Sequence, residues 1–150
     1  MNIKIKKYIK PIVNINDYKI PIILSPFTYA FIGSFSKGKM FEPIVIDSYD
    51  NLIKYFGDKE TSTFKTAKLY LRTYSDYSSV NNSLIVLMRI PKKCDIDDYC
   101  KAYSKVVEMT NIKIDELGFP DLKLNQYKII QGIRDFVYEN YYKNDIRLIL

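Results

Sequence analysis

The chain has no histidine and no tryptophan among its 150 residues, and its only cysteines are Cys94 and Cys100. Without histidine, no Ser-His or Cys-His relay can be built, and a metal site of the usual Cys/His kind is excluded with it. Two cysteines with five residues between them make no disulfide framework. They read as reduced thiols, with Cys100 on the buried face of a helix. Glycine is scarce, at five residues, and the stretch Gly33-Ser34-Phe35-Ser36-Lys37-Gly38-Lys39-Met40 has neither the Walker spacing nor the dinucleotide fingerprint. It reads as a surface turn rather than a phosphate cradle. No segment approaches the roughly eighteen apolar residues needed to span a bilayer, and Met1-Asn2-Ile3-Lys4 does not lead into the apolar core of a secretory signal. The expectation is assembly in a cytoplasm.

What is present fits one globular domain. Residues are 47% hydrophobic and 27% charged, enough apolar side chain for a real core. Twenty-three basic against seventeen acidic residues give a net charge of +6. The basic residues are dispersed, apart from Lys4, Lys6, Lys7 and Lys10, and no helix carries a basic stripe interleaved with aromatics, so neither nucleic acid nor a membrane is expected as a partner. Fourteen tyrosines are compatible with tyrosine-rich interfaces and equally with an AT-rich coding sequence. Asp95, Asp97 and Asp98 suit a hard cation or, more simply, the start of a helix. Asp115-Glu116 with Asp121 is a weaker acidic cluster around a loop, and acid pairs alone do not make a glycosidase.

Periodicity orders the rest. Tyr29 to Ile32 is a short apolar run stopped by Gly33, and Pro43 to Ile46 is a second extended piece. Ser48 is a plausible N-cap for a helix with Leu52, Ile53 and Phe56 on one face and Gly57 as its stop. A longer helix from about Thr63 places Phe64, Ala67, Tyr70, Leu71 and Tyr74 at helical spacing. Polar Ser78 to Ser83 breaks it, and Leu84 to Met88 runs on to Arg89 and Ile90 as a buried strand. Asp95 caps a helix through about Met109. An extended piece from Asn111 to Leu117, a loop at Gly118-Phe119-Pro120-Asp121, a helix from about Asn125 to Tyr142 and a last strand from Ile146 to Leu150 complete the chain. Strands alternating with helices argue for an α/β fold, with a mostly parallel sheet flanked by helices and right-handed crossovers. The near-continuous apolar runs at Leu84 to Met88 and Ile146 to Leu150 imply burial on both sheet faces. Residues 1–26 stand apart: Ile3 and Ile5 alternate with lysines, and Pro11, Pro21 and Pro26 favour extended backbone suited to a sheet edge.

Ala30-Phe31-Ile32-Gly33, Gly38, Glu42-Pro43-Ile44-Val45-Ile46, the helix Leu52 to Phe56 ending in Gly57, Ala67 to Leu71, and Leu84 to Arg89 resemble, in order and spacing, the N-terminal part of contractile tail sheath proteins. The resemblance is weaker after Ile90. Pro11-Ile12-Val13-Asn14-Ile15 is similar to the family's early Pro-Gly-Val motif, with Ile12 where glycine is usual. The resemblance implies an extended N-terminal arm over residues 1–26 and a sheath-like α/β domain over residues 27–150. This domain would lack the variable inserted domain and would be either the N-terminal part of a longer polypeptide or a short sheath-like protein. It further implies a structural subunit in a virion tail, assembled in a bacterial host, with no enzyme activity and no cofactor. Its partners would be further copies of itself in stacked six-fold rings, an inner tail tube protein, and baseplate and terminator proteins. Ile3, Ile5, Ile12, Val13 and Ile15 would pair with a neighbouring subunit. Two other readings stay open: a ring-forming adaptor such as a tail terminator or sheath initiator, and a small nucleotide-binding α/β protein.

Overall fold

A computed structural model describes residues 28–77 and 84–150. The arm expected over residues 1–26, with Ile3, Ile5, Ile12, Val13 and Ile15, lies outside the described residues, as does the polar break from 78 to 83.

Side-chain alternation along the strands decides the layers. In β1 (Tyr29–Gly33), Ala30 and Ile32 belong to one buried cluster and Phe31 to another. In β3 (Ile85–Arg89), Val86 and Met88 join the first cluster, Ile85 and Leu87 the second. A strand buried on both faces carries apolar residues continuously, which is why neither run shows a polar alternate. Among the described residues the sheet has five strands in the order β2-β3-β1-β4-β5, with β2 at Pro43–Ile46, β4 at Glu116–Gly118 and β5 at Arg147–Ile149. β1 pairs in parallel with β3 and β4, and β4 with β5; β2 is antiparallel to β3. The architecture is α/β with a mostly parallel sheet, as the alternation of strands and helices implies.

Among the described residues four helices supply the outer layers. α1 (Tyr49–Phe56) lies on β2, and α2 (Ser62–Tyr77) on β1 and β3, where Leu52, Phe56, Phe64, Ala67 and Leu71 close over one sheet face. α3 (Ile96–Val107) and α4 (Tyr127–Tyr141) pack on each other and cover the opposite face. Capping follows the residue chemistry. Ser48 Oγ accepts the Asn51 N–H, and the Asp95 carboxylate accepts the Asp98 N–H at 3.0 Å. Gly57 ends α1 at φ 78°, in the left-handed region that favours glycine, and its N–H donates to the Ile53 carbonyl.

Two expectations are corrected. The extended piece drawn from Asn111 to Leu117 is a strand only at Glu116–Gly118. Ile114 is buried and Ile112 packs against the same cluster, so their alternation reflects a loop folded onto the core rather than a sheet ladder. The ladder begins only where Asp115 and Glu116 donate their N–H groups to the Thr28 carbonyl. The last strand is not buried on both faces. α1 and α2 stop at β1, so one side of β4 and β5 carries no helix among the described residues, and Arg147 and Ile149 project there exposed while Leu148 packs under α4.

α3 contributes two buried phenols. Burial pushes Tyr103 up to about 12, helped by Tyr141, and pushes Tyr99 up to about 12, helped by Cys94, Asp121 and Asp98. An unfolded tyrosine ionises near about 10, so the folded state holds these protons where the unfolded state releases them. Their contribution to stability is full below the unfolded value and is lost as pH rises through the folded one. Urea denaturation followed by circular dichroism should therefore show stability falling between about pH 10 and about pH 12, with a shallower fall in Tyr103→Phe. An unchanged slope in that variant would contradict the assignment.

Candidate functional site

In an open α/β sheet, ligands bind beyond the carboxyl ends of the strands, where neighbouring connections leave for opposite faces. Here that place lies between β1 and β4. From β1 the chain goes to α1 and α2 on one face, and from β4 it goes to α4 on the other. Four segments meet there: Gly33-Ser34 leaving β1, Thr61 to Phe64 opening α2, Ile90 after β3, and Asp121 in the loop after β4.

The crevice is filled by the protein's own carboxylate. Asp121 Oδ2 accepts the Ser34 N–H and the Ser34 hydroxyl, each at 2.6 Å, and Oδ1 accepts the Thr63 N–H at 3.1 Å. A carboxylate at the first turn of α2 satisfies an orphan donor and meets the positive end of the helix dipole. Thr61 completes the cap: its Oγ1 accepts the Phe64 N–H at 3.1 Å and donates to the Ser34 carbonyl at 2.6 Å. Gly33 is required by close approach. A Cβ there would overlap the Thr63 side chain and stand 2.8 Å from Asp121 Oδ2. Thr63 Oγ1 is buried with no hydrogen-bond partner among the described residues.

The glycine-containing turn is also committed internally. Phe35 is buried against Phe56, ring centroids 4.4 Å apart. The Lys37 N–H and the Ser36 hydroxyl both donate to the Phe56 carbonyl at the end of α1. Arg89 Nη1 donates to the Gly38 carbonyl at 2.6 Å, and the Phe41 N–H to the Arg89 carbonyl at 2.8 Å. These contacts pin the turn to the sheet and to α1, with Phe35 buried while Ser36, Lys37, Lys39 and Met40 stay exposed, so the stretch is a surface turn with one core anchor.

The acidic cluster read around the β4 loop is dispersed. The Asp115 carboxylate accepts the Thr28 N–H at the amino end of β1, Glu116 pairs with Arg147 at 2.9 Å across β4 and β5, and Asp121 serves the opposite end of the strand. Asp95 caps α3. Among the described residues no three His, Cys, Asp or Glu side chains come together to hold a metal. Cys94 and Cys100 are free thiols. Burial pushes Cys94 up to about 11, with Asp98 and Asp95 adding, and its Sγ lies 2.8 Å from the Pro91 carbonyl; Cys100 is raised by burial and by Asp97. Neither is an activated nucleophile.

Composition did not single out the β5 side of the molecule. Among the described residues β5 ends the sheet, and beside it α4 and the turn after it form a groove of about 480 Å³ lined by Val137, Tyr138, Tyr141, Tyr142 and Leu148 among others. Tyr138 is 77% exposed and Tyr142 66%. Tyrosines of this kind bring large apolar area with a polar tip, the side chain enriched where proteins meet. The other edge, β2, opens with Pro43, which has no N–H to offer.

No protein-family model matches the chain, and no curated protein matches it. Among the described residues no helix is long and apolar enough to cross a membrane.

Proposed function

We propose that the chain is a structural subunit of a contractile tail sheath, polymerising around an inner tail tube and rearranging on contraction. Its work is mechanical: subunits held in an extended lattice re-pack as rigid bodies into a wider, shorter one, and the arms preserve connectivity. Residues 1–26 link subunits through Ile3, Ile5, Ile12, Val13 and Ile15, and the other partners are the tube, baseplate and terminator proteins of a virion tail.

The observation that carries this reading is the division of labour within the chain. The described members of both buried clusters and of the carboxyl-end crevice lie between Tyr29 and Leu150 and pack or hydrogen-bond with one another. The place where an α/β enzyme would hold its ligand is occupied by Asp121, while an edge strand flanked by exposed tyrosines has no pairing partner on its outer side among the described residues. A domain satisfied inside and open at an edge suits a building block. The resemblance in sequence supplies the type of assembly.

Negative-stain electron microscopy of the purified full chain, paired with its intact mass, tests the proposal. Cylinders of indefinite length are expected. Rings of fixed height from chains of 17.7 kDa would replace the sheath by the ring-forming adaptor, and monomers alone would overturn both.

A further inference from the structure

We propose that the crevice at the carboxyl ends of β1 and β4 is a receptor site for a small carboxylate, held closed by Asp121 as an internal ligand. With that side chain removed, a free carboxylate such as acetate takes its place.

The receptor is built without Asp121. Two hydrogen bonds fix the turn after β1: the Ile90 N–H donates to the Gly33 carbonyl at 2.9 Å, and the Thr61 hydroxyl to the Ser34 carbonyl at 2.6 Å. The same Thr61 oxygen accepts the Phe64 N–H at 3.1 Å and so sets the first turn of α2, which Phe64 anchors in the core. The Ser34 N–H, the Ser34 hydroxyl and the Thr63 N–H are therefore held in place by groups other than the acid they serve. Donors positioned before a ligand arrives bind it with little further loss of freedom. The amino end of a sixteen-residue helix supplies the sign of potential that an anion requires.

The occupant comes from a distant part of the chain. Asp121 lies 87 residues from Ser34 and 58 from Thr63, and its carboxyl group meets their donors at 2.6 and 3.1 Å, as a bound acetate would. One donor is left over. Thr63 is 0% exposed, and its Oγ1 has no hydrogen-bond partner among the described residues. A Cβ placed on Gly33 would overlap that oxygen and stand 2.8 Å from Asp121 Oδ2, so both oxygens border the same point, which the glycine leaves clear. Tethered to its loop, Asp121 leaves the hydroxyl unmet. A free carboxylate has no tether to fix its orientation and accepts from this fourth donor as well. A buried hydroxyl without a partner is costly, and a ligand that satisfies it gains accordingly.

Titration of full-length Asp121→Ala with sodium acetate tests the proposal, with sodium chloride at equal ionic strength and the wild-type chain as references. A ligand at about ten times its Kd raises the melting temperature of a chain this size by roughly 4 °C. A saturable rise of that order is expected in the variant by about 0.3 M acetate, beyond any rise with chloride, and none beyond chloride in the wild type. In nitrogen-15 correlation spectra of the variant, the Ser34 and Thr63 amides should shift along the same titration. Thr63→Val separates the fourth donor from the rest. With Asp121 present it should melt within about 2 °C of the wild type, since no hydrogen bond is lost; combined with Asp121→Ala it should weaken acetate binding at least threefold. Asp121→Ser, which leaves a smaller gap, carries the same titration where the alanine variant does not fold. A response equal to that of chloride, an equal rise in the wild type, or amide shifts confined to residues outside the crevice would overturn the receptor. An undiminished response in the double variant would overturn the role of the Thr63 hydroxyl.

Discussion

Asp121→Ala should lower the stability of the protein by about 3 kcal/mol, because the carboxylate is the shared acceptor for three donors on two segments. Its loss strands the Ser34 N–H and hydroxyl where β1 ends, and the Thr63 N–H in the first turn of α2. Each part-buried donor without a partner costs about 1–3 kcal/mol, and water entering the vacated space recovers some of this. The charge matters beyond the count of bonds, since it sits at the amino end of a sixteen-residue helix. Asp121→Asn should be milder: it keeps one acceptor oxygen but turns an amide N–H₂ toward donors. For a chain of this size the alanine variant should melt roughly 10 °C lower. Urea denaturation at neutral pH checks the effect, and a loss below about 0.5 kcal/mol would show that the crevice is not held by this carboxylate.

The same residue shows how far the sequence could be read. The strands Tyr29–Gly33 and Ile85–Arg89, the caps at Ser48 and Asp95 and the stop at Gly57 were legible because each depends on side chains within a few positions. Asp121 was visible only as an acid near Asp115 and Glu116. Its true partners, Ser34 and Thr63, lie 87 and 58 residues away, joined by the parallel pairing of β1 with β4. Thr61, Ser62 and Thr63 ahead of an apolar-periodic run were an available signal for a capped helix start, though not for the carboxylate that meets it. β5 misled for a related reason. Ile146 to Leu150 has the composition of a central strand, but the described helices on its second face stop short at β1. Helix placement over a sheet depends on the full topology, which local periodicity does not encode.

Removing residues 1–15 should leave the domain folded and abolish ordered assembly. Folding is expected to survive because, among the described residues, the clusters around Tyr103 and Met88 on one face of the sheet, and around Phe64 and Leu87 on the other, already form two packed cores. Thermal unfolding of the truncated chain should therefore fall within about 2 °C of the full chain, the range left to surface changes. Assembly fails because the proposed link between copies is the added strand itself. Without it, subunits keep only side-by-side contacts, and a lattice that must survive a change of rise and radius loses its flexible tether. Ile12→Asp with Val13→Asp tests the same link without shortening the chain. Carboxylates at the positions meant to pair would be desolvated without partners, and tubes should be lost as in the truncation. Tubes of ordinary diameter and length from the truncated chain would remove the arm from the mechanism, leaving any lattice to be held by the tyrosine-rich surface of α4 alone. The two variants together separate these cases, because a lattice built on α4 tolerates both, whereas one built on strand addition tolerates neither.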